Sequence, residues 1–193
     1  MGLSADDDAY IRANFVPLDE LCDAQGVDPA ETRRLVAAGR LPHPSYVLDA
    51  GTEMVPRDYF DLAEAAGGVE HLREMFLQRY RAAAGPGSTP AEEEWEAYLT
   101  GAYGVCLNRV SPETIVHKEM LVKRTEALLS SPFPQESEWR KELRESVDDL
   151  DRLERPFAQY DRERFGEPTS RDRCITAARE RYPDVFATAA TRQ

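Results

Sequence analysis

Residues 18–41, LDELCDAQGVDPAETRRLVAAGRL, decide the fold of the N-terminal part of the chain. The apolar residues of their first third recur at helical spacing, which indicates a short helix. Asp28 then provides an N-cap, Pro29 suits the first helical position, and Glu31 stands at capping-box spacing. Gly39 is suited to end the second helix because it has no Cβ to oppose a left-handed backbone. The stretch therefore predicts two short helices joined by a tight turn, a helix-turn-helix.

The next residues predict a β-hairpin and then helices. Residues 46–48 and 52–55 are β-prone and flank the turn-prone Asp49-Ala50-Gly51, a pattern typical of a wing. Ala82–Pro90, with the sequence AAAGPGSTP, is a linker of small residues. Helical periodicity and capping residues outside this linker predict six more helices: 56–66, 69–83, 90–106 with Ser88 or Thr89 as cap, 111–129 with Ser111 as cap, 137–155, and 170–182 with Ser170 as cap.

We therefore predict a mainly α protein. A winged helix-turn-helix-like part with its following helices occupies residues 1–83, and a helical bundle occupies residues 84–193. The linker between them is short, so we expect the two parts to share one core.

Charge argues against a nucleic-acid partner. The 193 residues contain 24 Lys plus Arg and 36 Asp plus Glu, a net charge of −12. Residues 1–65 alone contain 13 acids and five arginines, a net charge of −8. Arg33, Arg34 and Arg40 are the candidate DNA readers, and neighbouring carboxylates oppose them. We expect this part to serve as architecture, as a docking surface, or as one wall of a pocket rather than to bind DNA.

Two resemblances arise. The stretch 16–65, with LDELCDAQGVDPAETRRLVAAGRLPHPSYVL and PRDYFDL, resembles the winged helix-turn-helix of MerR-type and excisionase-type DNA-binding domains. The runs LPHPSYVLDAGTEMVPRDYFDLAEAAGG, WEAYLTGAYGVCLNRVSPETIVHKEMLV and LDRLERPFAQYDRERFGEPTSRDRCI resemble a family of small actinobacterial natural-product-biosynthesis proteins of undetermined function. The second resemblance implies a biosynthetic setting but no particular reaction.

Glu113, His117 and Tyr103 are the candidate catalytic residues. Glu113 and His117 are four residues apart, so on a helix they share a face. A carboxylate beside an imidazole can orient the ring and raise its basicity for acid–base work, with Tyr103 as a hydrogen-bond donor. In the alternative, Glu113 complements the helix dipole and His117 is a surface residue.

Arg155, Arg164 and Arg173 are the candidate substrate-binding residues. They lie among aromatic residues and precede or follow a predicted helix N-terminus, a setting that could hold a carboxylate or phosphate. The interleaved acids could instead neutralise these arginines in an ion-paired loop.

Several classes of site are not indicated. The three cysteines are widely spaced without a CxxC pair, and Cys106 between Val105 and Leu107 is typical of a core residue. No ligand set suggests a metal, and no Walker, GxGxxG, GxSxG or HExxH motif suggests a cofactor. No apolar run is long enough for a membrane span, and residues 1–10 lack the pattern of a secretory signal. We expect a cytoplasmic protein without a cofactor.

The function expected from these observations is binding of a small polar or anionic intermediate in natural-product biosynthesis, with cofactor-independent acid–base catalysis as one form. The alternatives are a DNA-binding regulator of a biosynthetic gene cluster and a non-catalytic partner of a biosynthetic enzyme.

Overall fold

The computed structural model describes residues 2–166 and 168–187. About 65% of the chain is helical, roughly twice the average for globular domains, so the predicted mainly α class is confirmed. The helices in the described ranges are α1 Ala5–Asn14, α2 Leu18–Gln25, α3 Pro29–Ala37, α4 Asp61–Ala65, α5 Val69–Ala83, α6 Ala91–Leu99, α7 Ala102–Cys106, α8 Pro112–Ser130, α9 Ser137–Leu153, α10 Gln159–Phe165, the π-helical segment Asp172–Thr176, α11 Ala177–Arg181 and α12 Pro183–Phe186.

The predicted hairpin is confirmed and is part of a larger sheet. Strands β2 (Tyr46–Val47) and β3 (Glu53–Val55) pair antiparallel, and β1 (Val16–Pro17) adds to the other edge of β3. The order is thus β1-β3-β2, three strands where the sequence predicts two. A two-residue strand that contains a proline gives no periodic signal, so β1 depends on the partner strand that tertiary structure supplies.

The capping residues in the sequence correctly predict where α3 and α8 begin. The Asp28 carboxylate accepts from the backbone N–H of Ala30 at 2.9 Å, with Pro29 in the first turn. The Ser111 hydroxyl accepts from the backbone N–H of Thr114 at 3.2 Å. These caps satisfy N–H groups that have no partner within the helix.

Two other predicted caps are wrong. Pro90 itself is the N-cap of α6, so neither Ser88 nor Thr89 caps that helix. At the start of the last helical region, the hydroxyl of Thr169 rather than of Ser170 accepts from the backbone N–H of Asp172, at 3.2 Å. The hydroxyl of Ser170 is therefore available for another contact.

The single helix predicted over 90–106 is divided at Gly101. Gly101 has a φ of 78°, and a Cβ there would lie 2.2 Å from the backbone oxygen of His43. Only glycine allows this conformation and this close approach to the segment before β2. The break turns α7 away from α6 and sets the direction of Tyr103 and Cys106.

Three clusters of buried apolar side chains form the core. The largest includes residues from both sides of the linker, for example Leu18, Phe76, Trp95 and Val116. A second joins α8, α9 and the C-terminal helices, and a third joins α1 to the sheet and to Val105. The boundary at residues 83–84 stays a prediction.

Candidate functional site

A cavity of about 260 Å³ lies where α7, α8 and α10 meet the segment before the π-helix. One part of its wall is apolar and is made by Ala102, Phe157, Phe165, Gly166 and Pro168. The other part is polar and is made by Tyr103, Cys106, Lys118, Thr169, Ser170 and Arg173. We call it the Lys118 cavity.

Lys118 is held by a buried carboxylate. Its Nζ lies 3.0 Å from Oε1 of Glu154, whose side chain is 0% exposed, while that of Lys118 is 16% exposed. The hydroxyl of Ser170 donates to the same Oε1 at 2.6 Å. Oε2 of Glu154 is also buried and has no hydrogen-bond partner among the described residues.

A short pairing between two chain segments places Glu154 there. Residues 107 and 154 form an antiparallel bridge, the backbone N–H of Arg155 donates to the oxygen of Cys106 at 2.9 Å, and that of Asn108 donates to Leu153 at 3.0 Å. The end of α9 is thereby fixed beside the end of α7. Lys118 reaches the same point from α8, which packs along α9.

The titratable groups of the polar wall stay protonated near neutral pH. Burial acts to lower the pKa of Lys118, but the adjacent Cys106 and Glu154 together raise its pKa above the ordinary value. Burial raises the pKa of the Cys106 thiol, although Lys118 opposes the shift. Burial and the hydrogen bond to Glu94 raise the pKa of Tyr103. The wall therefore presents a cation and neutral donors rather than a base or a thiolate.

Tyr103 and Arg173, which were chosen as candidate site residues from the sequence, both line this cavity. The hydroxyl of Tyr103 donates to the carboxylate of Glu94, which fixes the ring. Arg173 donates through Nε to Glu126 at 2.9 Å and through Nη1 to the oxygen of Pro168 at 3.3 Å. Nη2 of Arg173 has no hydrogen-bond partner within the described ranges, so it can donate to a bound molecule.

Arg155 and Arg164 instead contact the backbone. Arg155 donates to the carbonyl oxygens of Leu107 at 2.9 Å and Asn108 at 3.1 Å, and its guanidinium lies 5.1 Å from the centre of the Phe15 ring. Nη1 of Arg164 donates to the oxygen of Ser45 at 2.7 Å. Both side chains therefore join chain segments, and neither lines the Lys118 cavity.

Glu113 and His117 lie outside the cavity. Both oxygens of Glu113 accept from Arg79 at 2.7 Å, and this contact lowers the pKa of the carboxyl. His117 is exposed on the same side of α8. The structure thus pairs Glu113 with an arginine of α5 and leaves the three predicted catalytic residues in two separate places.

Sequence reasoning missed Lys118 and Glu154, although each interrupts an apolar pattern. Lys118 stands between Ile115 and Leu121 at steps of three, on the buried face of α8. Glu154, the residue directly after α9, continues the helical spacing of Val147 and Leu150. A charged residue at a core position of an amphipathic helix is a signal for a buried pair or a site.

Two of the three candidate DNA readers, Arg33 and Arg34, are paired with neighbouring acids. Arg33 donates through Nε to Glu53 at 2.6 Å and through Nη2 to Asp19 at 2.7 Å. Arg34 pairs with Glu31 at 2.5 Å. In duplex binding these guanidinium groups would have to exchange an existing carboxylate for a phosphate.

Within residues 2–166 and 168–187, no group of three or more His, Cys, Asp or Glu side chains is placed to hold a metal ion. None of the helices in these ranges is both long and apolar enough to cross a membrane.

Residues 72–183 match a protein family described as a family of unknown function, DUF6058. Neither a curated protein nor a solved structure matches the chain. All residues that line the Lys118 cavity lie inside the matched range, whereas the helix-turn-helix-like segment lies before it.

Proposed function

Because this chain belongs to the DUF6058 family, whose function is unknown, we propose a function from the geometry of its site: it binds a small polar or anionic molecule in the Lys118 cavity. The observation that supports this most directly is the Lys118 ammonium, held on the cavity wall by the fully buried Glu154. A protein rarely buries a carboxylate and a lysine together unless the geometry is well satisfied or a function requires them.

The Lys118 ammonium has an N–H group left that can donate a hydrogen bond to a bound molecule. It has three N–H groups, and the Glu154 carboxylate takes one of them. Another can donate to an oxygen atom in the cavity, and Nη2 of Arg173 can do the same. A molecule with acceptor oxygens, such as a carboxylate or a phosphate, fits these donors.

The same residues limit the chemistry of the site. A protonated Lys118 can stabilise negative charge that develops on a bound oxygen, or transfer its proton to that oxygen as a general acid, without a cofactor. It is not an amine nucleophile in this state. Any acid–base reaction here would therefore use Lys118 rather than Glu113 and His117, which lie outside the cavity.

The biosynthetic setting of the proposal comes from the resemblance of three long runs to natural-product-biosynthesis proteins. We assign this role to the cytoplasm, because Cys22, Cys106 and Cys174 are free thiols. The test of this setting is genetic. A producing strain whose own gene is replaced by the Lys118→Gln form should lose product, whereas the Lys141→Gln form should keep it.

Binding itself is tested by isothermal titration of the full chain with inorganic phosphate and with benzoate. We expect at least one anion to bind and its affinity to fall about tenfold in Lys118→Gln, since one charge-assisted hydrogen bond is lost. Lys141→Gln is the matched control, because Lys141 is exposed on α9. If neither anion binds, or if Lys118→Gln and Arg173→Gln both bind as well as the wild type, the proposed function is wrong.

A further inference from the structure

Residues of two chemically different kinds line the Lys118 cavity. The rings of Phe157 and Phe165 belong to its apolar wall, and Lys118 and Arg173 belong to its polar wall. A pocket with apolar rings and a few convergent polar groups is typical of sites for small organic molecules.

We propose that the molecule bound in this cavity is an aromatic carboxylate, whose ring packs on Phe157 and Phe165 and whose carboxylate is bound by Lys118 and Arg173. This inference rests on the proposed function and specifies the chemical class of the ligand.

The aromatic part follows from Phe165. Its side chain is 43% exposed at the cavity, so apolar ring surface is left for a bound molecule to cover. The Arg164 guanidinium lies 5.0 Å from the centre of its ring, and the same arginine is bonded to Ser45, so the ring is held in place at the cavity. A flat ring bound against Phe165 would cover apolar surface and add an aromatic pair.

The carboxylate part follows from the charges around the polar wall. Lys118 is already paired with Glu154, and Arg173 is paired with Glu126. The two ion pairs are neutral and the Glu94 carboxylate bonded to Tyr103 adds one negative charge, so the site can accept one negative charge more readily than the two of a phosphate at neutral pH. Two cationic donors with spare N–H groups match the two oxygens of a carboxylate.

The size of the cavity agrees with this class. A volume of about 260 Å³ far exceeds the space for a single inorganic anion, which would leave the apolar wall uncovered. A one- or two-ring carboxylate would reach both walls at once.

The probes are 2-naphthoate, cyclohexanecarboxylate, 2-naphthamide and inorganic phosphate, titrated calorimetrically into the full chain. We expect 2-naphthoate to bind at least about tenfold more tightly than each of the other three, because only it has both the ring and the charge. Phe165→Leu should weaken 2-naphthoate and leave cyclohexanecarboxylate unchanged. Phe133→Leu, a substitution at a comparably exposed phenylalanine, should change neither affinity.

The variants of the polar wall test the other contact. Arg173→Gln should weaken 2-naphthoate several-fold and leave 2-naphthamide unchanged; because Arg173 is about half exposed, this variant should fold even if Lys118→Gln does not. If phosphate or cyclohexanecarboxylate binds as tightly as 2-naphthoate and still depends on Lys118, the aromatic inference is wrong and the proposed function stands. If no probe binds, or if binding is indifferent to both Lys118 and Arg173, the proposed function fails as well.

Discussion

The ammonium of Lys118 in α8 lies 3.0 Å from Oε1 of Glu154 at the end of α9, and the carboxylate is completely buried. The two helices also pack through apolar side chains and through the buried hydrogen bond between Thr125 and Ser146, and Ser170 adds a third chain segment to the Lys118–Glu154 pair through its 2.6 Å hydrogen bond. The wall of the cavity and the packing of the bundle therefore depend on the same two charges.

Removal of Glu154 should destabilise the protein. In Glu154→Ala the mostly buried ammonium of Lys118 and the Ser170 hydroxyl lose their partner, and we expect a loss of about 3 kcal/mol in the free energy of unfolding. Urea denaturation followed by circular dichroism measures it. Glu138→Ala is the control, because Glu138 pairs with Lys141 on the surface and should change stability by less than about 1 kcal/mol. Equal losses in the two variants would contradict a structural role for the buried pair.

Arg155 should contribute to stability and not to binding. Its planar guanidinium donates to the carbonyl oxygens of Leu107 and Asn108, which lysine cannot reproduce as a fork. We expect Arg155→Lys to cost about 1–3 kcal/mol of unfolding free energy while the affinity for 2-naphthoate stays unchanged. Arg152→Lys on the exposed side of α9 provides the comparison. If Arg155→Lys lowers the affinity for 2-naphthoate but leaves the free energy of unfolding unchanged, Arg155 takes part in binding after all.

Gly101→Ala should impair both folding and binding. The added Cβ would meet the His43 oxygen at 2.2 Å, and alanine disfavours a φ of 78°. The loss should exceed about 2 kcal/mol, because the close contact adds to the ordinary cost of a left-handed alanine. Gly51→Ala, with the same φ and open space around it, should lose only about 1 kcal/mol. Thermal and urea unfolding compare the two variants, and equal losses would show that the contact is relieved at little cost.

Asp161 should give the protein a pH dependence opposite to that of a salt-bridged carboxylate. It is buried and accepts from the Tyr46 hydroxyl at 3.0 Å and from the Ala158 N–H at 2.9 Å, and its Oδ1 has no hydrogen-bond partner in the described part of the chain. Burial raises its pKa, and the nearby Asp7 adds to the shift, although the two hydrogen bonds and Arg164 oppose it.

The folded state therefore holds the Asp161 proton more strongly than the unfolded state, whose pKa is about 3.9. The favourable contribution is present below that value and is lost as pH rises through the raised pKa. Asp161→Asn does not titrate there, so its stability relative to the wild type should increase as pH rises from about 3 to 7. Urea titrations across this range measure the difference, with the exposed Asp23→Asn as control. A difference that is constant with pH would disprove the raised pKa.

Duplex DNA should not bind through the helix-turn-helix-like segment. Arg33 is bonded to both Asp19 and Glu53, and the first 65 residues have a net charge of −8. Fluorescence anisotropy at low salt should show no binding up to about 100 µM protein, the weak limit of non-specific affinity. Binding that Arg33→Ala weakens, and that Arg152→Ala on the exposed side of α9 does not, would favour a regulator.

Much of the fold is visible in the sequence because its signals are local. The Asp28-Pro29 start of α3, the Ser111 cap of α8 and the hairpin 46–55 depend on residues a few positions apart. The sequence prediction lacks α1 because its apolar residues form no regular face, although Ser4 and Asp7 stand at capping-box spacing. The break at Gly101 was missed for a different reason, since the carbonyl that requires glycine belongs to the distant residue His43.

The sequence by itself determined the helical class, the positions of most helices, the acidic surface and two residues of the cavity wall, Tyr103 and Arg173. Tertiary structure decided which polar residues meet: Lys118 rather than His117 faces the cavity, and Glu113 pairs with Arg79. The physical reason is that helical spacing fixes which residues share a face, whereas the partner of that face comes from segments distant in the chain. The pairing of residues 107 and 154 brings Glu154 to Lys118, and no local pattern encodes that distance.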